Sequence, residues 1–519
     1  MKRKVTVIDL VSNKPTKRLY SRVMNANFAS IMPQVISVWC EELGHDVRFV
    51  CYTGVEDFSR ELLGDTDIVF IGAFTLSAQL AYALSALFRR HGAVTVLGGP
   101  HARCYPEDAC LYFDYVLGLT DKDVVADVLA DGAQHRPFGR QVTAKKQPAE
   151  LPGVRERWKF IEATIRKAPA FKLIPMIGST GCPYSCSFCI DSVIPYRTLG
   201  FEQIREDLRF LLTRMKRPRV AWHDPNFGVR FEDYLSAIED VVPPGRMDFI
   251  AESSLSLLSE PHLKRLKKNG FVAILPGIES WYELGNKSKS GNNVGMDKVR
   301  QVAEHVNVIL KYIPFVQTNF VLGLDCDHDA EPFALTKRFL DLAPGAYPAF
   351  SLLTAYGRAA PLNLVFQAEG RVIPVPFHFL NSTRGMNVRP KHYSWPDFFG
   401  HVADLVGNAH SGSRIVRRFR ATTGLHTRWF SALRAATSKK VEYYNKVHGQ
   451  LRAGGALRAF FEGDTKTLPA FFTDKIRQDL GLFWEALPHG AIMHDHVAYL
   501  ASRPSTNEPR VIQPHEAVA

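Results

Sequence analysis

Cysteine is scarce in this chain and long apolar runs are missing. Eight cysteines among 519 residues are too few for a disulfide scaffold. No apolar run approaches the ~20 residues of a membrane helix, and no low-complexity tract interrupts the sequence. The basic, then apolar start "MKRKVTVIDLV" runs into polar "SNKPTKR" without a small-residue cleavage site, which reads as a β-strand and not as a signal peptide. The expectation is a cytoplasmic protein with reduced thiols. Acid is missing locally: Arg414 to Arg452 holds ten Lys/Arg against Glu442 alone, within a chain of net charge +12. That stretch reads either as a solvated helical face or as a surface for an anionic partner.

What is present is a long alternation of strand and helix patterns. In 1–135 the short runs "VTVIDL", "HDVRFVCY", "DIVFIGAF", "AVTVLGGP" and "DYVLGL" read as buried parallel strands. Helical patterns lie between them, among them "EDFSRELLG", and Gly44, Gly64 and Gly92 fall at helix ends. This predicts an α/β fold that opens with a doubly wound, flavodoxin-like parallel sheet. Residues 136–170 are polar and read as a linker. A second alternation over 171–365 has six strand patterns and predicts a partial (β/α)6 barrel, functional groups at its strand ends. The remainder, 366–519, reads as a mainly helical C-terminal region with a frayed, Pro-rich end.

Five cysteines (Cys40, Cys51, Cys104, Cys110 and Cys326) sit among apolar neighbours as small buried hydrophobes. The other three form "STGCPYSCSFCIDS" at 179–192, directly after the first barrel strand. Cys182, Cys186 and Cys189 are spaced C-x3-C-x2-C, and Pro183, Ser185 and Ser187 permit a tight turn. Three thiolates leave one iron of a cubane [4Fe-4S] cluster open. The alternative is a zinc site one ligand short, which His223 alone could complete.

C-x3-C-x2-C after the first strand of a six-unit barrel resembles the radical S-adenosylmethionine (SAM) superfamily. The resemblance implies that Cys182, Cys186 and Cys189 hold a [4Fe-4S] cluster whose open iron takes SAM, with Phe188 near the adenine. Later stretches resemble superfamily elements in order: "WHDPNFG" (222–228), "IAES" (250–253), "PGIES" (276–280), "TNFVLGLD" (318–325) and "LLTAYGRAAPL" (352–362). Residues implied to meet SAM are Asn226, Glu252, Gly277, Glu279, Ser280 and Gly323.

The flavodoxin-like sheet placed before such a barrel looks like the cobalamin-binding subclass, and "GGPHARCYPEDA" (98–109) is close to that subclass's stretch after the fourth strand. Thr75, Ser77, Gly98, Gly99, Pro100 and His101 are the residues implied to contact cobalamin. The D-x-H-x-x-G motif is absent, the first strand ending "DLVSNKPTK", so no histidine from that motif would ligate cobalt. "VLGLTDKD" also departs from the subclass's "VVGEGE", which leaves open a sheet kept only as a lid.

The resemblance implies cleavage of SAM to a 5′-deoxyadenosyl radical and, with cobalamin, C-methylation of a small-molecule or lipid substrate. Alternatives are cobalamin-dependent cyclisation or rearrangement, and cobalamin-free radical oxidation or rearrangement. From another class comes an Fe–S binding or sensing protein docked to an anionic partner. Implied partners are an electron donor such as flavodoxin or ferredoxin and an anionic substrate, with membrane-surface contact through 414–452; nucleic acid is not expected.

Overall fold

The computed structural model describes residues 2–16, 19–56, 65–132 and 137–494. The helix expected over 56–64, with Gly64, and the Pro-rich end lie outside the described residues, apart from Glu56.

The first sheet consists of β1 (Lys4–Leu10), β2 (Asp46–Tyr52), β3 (Ile68–Gly72), β4 (Val94–Gly98), β5 (Tyr115–Leu117) and β6 (Arg140–Val142). Its order is β2-β1-β3-β4-β5-β6, parallel throughout. Both faces are covered, which explains the unbroken apolar runs. Val5, Val7, Ile68, Phe70, Val94 and Val96 pack under the helix Ile31–Glu42, while Ile8, Leu10, Val69, Ile71 and Leu97 join the large core with the helix Ala78–Arg90. The order reverses between β1 and β3, so a crevice opens at their carboxyl ends.

The segment read as a linker is built in, which corrects that expectation. It supplies β6 and the helix Val154–Ile165. That helix buries Val154, Phe160, Ile161 and Ile165 together with Arg157, whose guanidinium donates to Gln34 Oε1 at 2.8 Å. A buried arginine among apolar positions breaks the pattern that would otherwise announce a helix.

The second sheet begins with β7 (Leu173–Met176). A two-residue antiparallel pair, β8 (Ser179–Thr180) with β9 (Arg197–Thr198), follows. Then come β10 (Arg219–Trp222), β11 (Asp248–Ser254), β12 (Phe271–Glu279), β13 (Phe315–Leu322) and β14 (Tyr347–Leu352). Sequential strands are parallel neighbours from β7 through β10 to β14, giving a six-stranded open barrel.

Six helices of seven residues or more, from Trp395–Ala409 to Ala470–Leu480, form most of the C-terminal region. Phe398 of the first packs against Phe333 of the barrel. Asp479 of the last reaches back to the N-terminal domain, accepting from Lys14 Nζ at 2.9 Å.

Candidate active site

Everything at the site starts from how the cysteine loop is tied down. The β8–β9 pair closes its two ends. Gly181 has φ +68°, and a Cβ there would stand 2.3 Å from the Ile194 carbonyl, so only glycine fits before Cys182. Asp224, just beyond β10, accepts from the Gly178 N–H at 3.1 Å and from Ser179 Oγ at 2.6 Å, and also from the Tyr234 hydroxyl. Burial pushes the Asp224 pKa up, and these donors hold it back. Inside the loop the Cys189 N–H donates to the Cys186 carbonyl at 2.9 Å.

Cys182, Cys186 and Cys189 line one open pocket of about 200 Å³ at the carboxyl ends of the barrel strands. Leu275, Gly277 and Glu279 also line it: alternate residues of β12 share a face, and that face is the pocket. Asn319, the register partner of Gly277, continues it on β13. Lys287 donates from Nζ to Glu279 Oε1 at 2.7 Å and is the only basic residue in the lining. Burial opposes its charge, but Glu279 and the nearby Cys186 outweigh that and hold Lys287 above the ordinary lysine range. A Cβ on Gly277 would lie 2.0 Å from Glu279 Oε1 and 3.0 Å from Lys287 Nζ, so glycine makes room for the ion pair. Glu279 itself has φ +65°, a conformation that costs a non-glycine residue energy and gathers at functional sites.

The pocket's chemistry fits a cluster and a zwitterionic ligand. Burial pushes all three thiols up, Cys189 to about 11, so a nearby positive charge such as a metal's would favour the thiolates. Among the described residues no three His, Cys, Asp or Glu side chains converge on a single ion. A cubane takes each thiolate at its own corner, whereas zinc needs all of them on one ion. Asn226 accepts at Oδ1 from the Ser254 N–H at 2.9 Å, but among the described residues its buried Nδ2 has no partner and is an orphan donor in the lining. Glu252 opens into the pocket, where desolvation and then Glu279 push its pKa up.

Phe188, Asn226, Glu252, Gly277 and Glu279 therefore stand together with the cysteines. Ser280 does not. One residue past Glu279 it turns to the other side and accepts from the N–H groups of Tyr282 and Glu283 at 3.0 and 3.2 Å. Gly323 is also outside the lining: it ends β13 at φ +87°, donates its N–H to Asp327 Oδ2 at 3.0 Å and abuts Phe398 and Met386. Missing from the sequence reading were Lys287, Asn319, Tyr184 and Asp191. Asn319 enters through its cross-strand register with Gly277, and Lys287 sits in the four-residue helix Gly285–Ser288; neither leaves a pattern in the sequence.

The N-terminal crevice residues divide as well. Gly98 has open space where a Cβ would point, and Gly99 is exposed at φ +91° with a would-be Cβ 2.9 Å from the Ala73 carbonyl. Pro100 begins the helix Pro100–Cys104. Thr75 and Ser77, however, are buried, Thr75 beside the Cys104 thiol. His101 is fully buried, with Nε2 2.6 Å from the Tyr82 hydroxyl and its ring 4.7 Å from Phe377. These three wall the crevice from inside. Phe28, Val55 and Phe74, in the segments that follow β1, β2 and β3, are instead exposed.

The two sets of strand ends face each other. Arg103 donates to the Ile190 carbonyl at 2.8 Å and pairs with Asp191, next to the third cysteine. The Tyr105 hydroxyl donates to the Ala355 carbonyl at 2.9 Å beyond β14. The basic stretch is elsewhere: Arg418 donates to the Ala346 carbonyl and Arg434 to Gln317 Oε1 at 2.7 Å, near the amino ends of β14 and β13. Several of its cations thus brace the end of the barrel far from the pocket.

No family model matches the sequence. The chain is similar to two methyltransferases of Chlorobaculum tepidum. Identity is 23% to bacteriochlorophyllide d C-12(1)-methyltransferase over 58% of this chain and 67% of that protein. It is 27% to bacteriochlorophyllide d C-8(2)-methyltransferase over 50% and 58%. The chain thus spans about three-fifths of the length of the curated relatives it matches. Among solved structures, the radical SAM methyltransferase TsrM of Kitasatospora setae, with tryptophan and a SAM analogue bound, aligns with a TM-score of 0.56 at 13% identity, covering 92% of this chain and 99% of that one. The cobalamin-dependent radical SAM enzyme OxsB, with aqua-cobalamin and SAM bound, aligns at 0.53 and 11%, covering 93% and 79%. Fold and site together define an open six-stranded barrel with a three-cysteine loop at its strand ends, preceded by a flavodoxin-like domain. That is the fold of TsrM and OxsB.

Proposed function

We propose that the chain is a cobalamin-dependent radical SAM C-methyltransferase acting on a small molecule. Cys182, Cys186 and Cys189 would hold a [4Fe-4S] cluster, the pocket beside them SAM, and the crevice between the two sets of strand ends cobalamin. The observation that carries this reading is the pocket that joins three thiols to an ammonium, three carboxylates and an amide donor left unpartnered among the described residues. Bound there, the cluster and SAM supply a hydrogen-abstracting radical, and cobalamin a transferable methyl group.

The chain's own residues bind and orient. Lys287 offers its ammonium to a carboxylate; Glu252, Glu279 and Asn319 offer acceptors to an amine; Phe188 presents an aromatic face to a base. Leu275 and Pro225 keep part of the wall apolar, which strengthens these charge interactions by excluding water. Gly98 and Gly99 let a flat ring approach backbone, and exposed Phe28, Val55 and Phe74 offer apolar surface to a macrocycle. Electrons would come from a small reducing protein such as flavodoxin or ferredoxin, in a compartment that keeps thiols reduced.

Reduced, reconstituted protein incubated with methyl-labelled SAM should form 5′-deoxyadenosine and, with substrate present, labelled product. Cys186→Ala should form neither. Wild-type protein that binds cluster and cobalamin yet never yields 5′-deoxyadenosine would sink the proposal.

A further inference from the structure

The helices Gly412–Ala421 and Leu425–Ala436 form a hairpin over the end of the barrel opposite the cysteine pocket. The inner side packs on the barrel. The Phe430 ring lies 5.6 Å from both Phe171 and Phe315, and the Arg434 guanidinium stacks 4.4 Å from Tyr347. Among the described residues nothing covers the outer side. Leu425, Trp429 and Leu433 follow one another at i, i+4 and i+8 and are 63%, 62% and 58% exposed. Val416, on the neighbouring helix, is 47% exposed. Phe419 supports Trp429 edge-on at 5.3 Å.

The surroundings are basic. Between Asp404 and Glu442 there is no acidic residue. Arg420 stands four residues after Val416 on its exposed face, and His426 and Lys439 are exposed as well; Arg417 is exposed too, its guanidinium paired with Asp341 at 2.8 Å at the edge of the face. Singly scattered exposed apolar residues are ordinary, but three bulky ones aligned on a helix are not. Leucine and tryptophan on one stripe, with arginine beside it, is the composition of a helix lying in a lipid headgroup layer. There the apolar side chains enter the acyl boundary and the guanidinium groups meet lipid phosphates. A second copy of the same face would set arginine against arginine. A nucleic acid would satisfy the cations but leave Leu425 and Leu433 without apolar contact.

We propose that this hairpin face seats the protein on an anionic lipid surface. The pocket lies at the other end of the barrel, so attachment turns its mouth away from the bilayer. The contact fixes where the enzyme works and does not feed the site from the membrane. This inference is independent of the chemistry proposed for the pocket.

The test is co-sedimentation of the iron-loaded full chain with vesicles of phosphatidylcholine alone and of phosphatidylcholine with phosphatidylglycerol. Wild type should pellet with the anionic vesicles and be released by high salt. Arg417→Gln/Arg420→Gln and Leu425→Ser/Leu433→Ser should each lower partitioning roughly tenfold or more, with iron content and circular dichroism unchanged. Trp429→Phe should remove a blue shift in tryptophan emission on binding. The proposal is overturned if wild type stays in the supernatant, or binds neutral vesicles equally. It is equally overturned if both double variants, folded, bind as wild type does. A concentration-dependent dimer lost in Leu425→Ser/Leu433→Ser, with no vesicle binding, would make the face a contact between copies; capture by an oligonucleotide in its place would make it a nucleic-acid surface.

Discussion

Lys287 carries much of the electrostatics of the pocket, since it faces Glu279 and the sulfurs of the cysteine loop at once. Lys287→Met leaves Glu279 without its cation and removes the ammonium that would clamp a ligand carboxylate. A buried charge-assisted bond is worth roughly 1.5–3 kcal/mol, so SAM affinity should fall about tenfold or more. Isothermal titration with SAM under anaerobic conditions reads this; unchanged affinity would remove Lys287 from the site. His101 gives a second expectation. Burial holds its pKa at about 3, against an ordinary 6.5. Between those values the unfolded chain binds a proton that the folded chain does not, so stability is intact above about pH 6.5 and falls as pH drops toward 3. In His101→Gln, the loss in denaturant midpoint from about pH 7 to pH 5 should be smaller than in wild type; parallel curves would show that His101 contributes nothing to it. The sequence carried the cysteines, Asn226 and Glu279 because they stand in short ordered patterns at strand ends. It did not carry Lys287, because a residue on a four-residue helix acquires its role only from the fold around it.

The cysteine loop depends on elements that contain no cysteine. Gly181 must adopt φ +68° between two carbonyls, and Asp224 ties the strand before it. Gly181→Ala should strain the loop by roughly 1–3 kcal/mol. The expected result is markedly less iron per chain with almost the same melting temperature; full iron loading would show that the turn tolerates a side chain. Strands were legible from sequence where burial on both faces leaves a continuous apolar run, as in β1 and β3. The segment 136–170 was not, since β6 is three residues long and half polar, and the helix Val154–Ile165 buries Arg157 in its apolar side. Ser280 and Gly323 came from motif and stand outside the pocket lining: each lies one residue past the end of its strand.

Taken whole, the molecule brings the open ends of two parallel sheets together, with Arg103 and Tyr105 bridging the N-terminal domain to the cysteine loop and to the turn after β14. That arrangement puts whatever the crevice holds within reach of the pocket, which a sheet kept only as a lid would not require. The C-terminal helices brace the barrel from the far side and rejoin the N-terminal domain through Asp479, so the cationic stretch that stood out in the sequence belongs to the scaffold and its outer surface. The most direct test is iron and cobalt per chain in protein expressed with cobalamin uptake and purified without oxygen, alongside Cys182→Ala/Cys186→Ala/Cys189→Ala. The account predicts about four irons and close to stoichiometric cobalt in wild type, with iron lost and cobalt retained in the triple variant. Wild-type protein holding zinc and neither iron nor cobalt would contradict it.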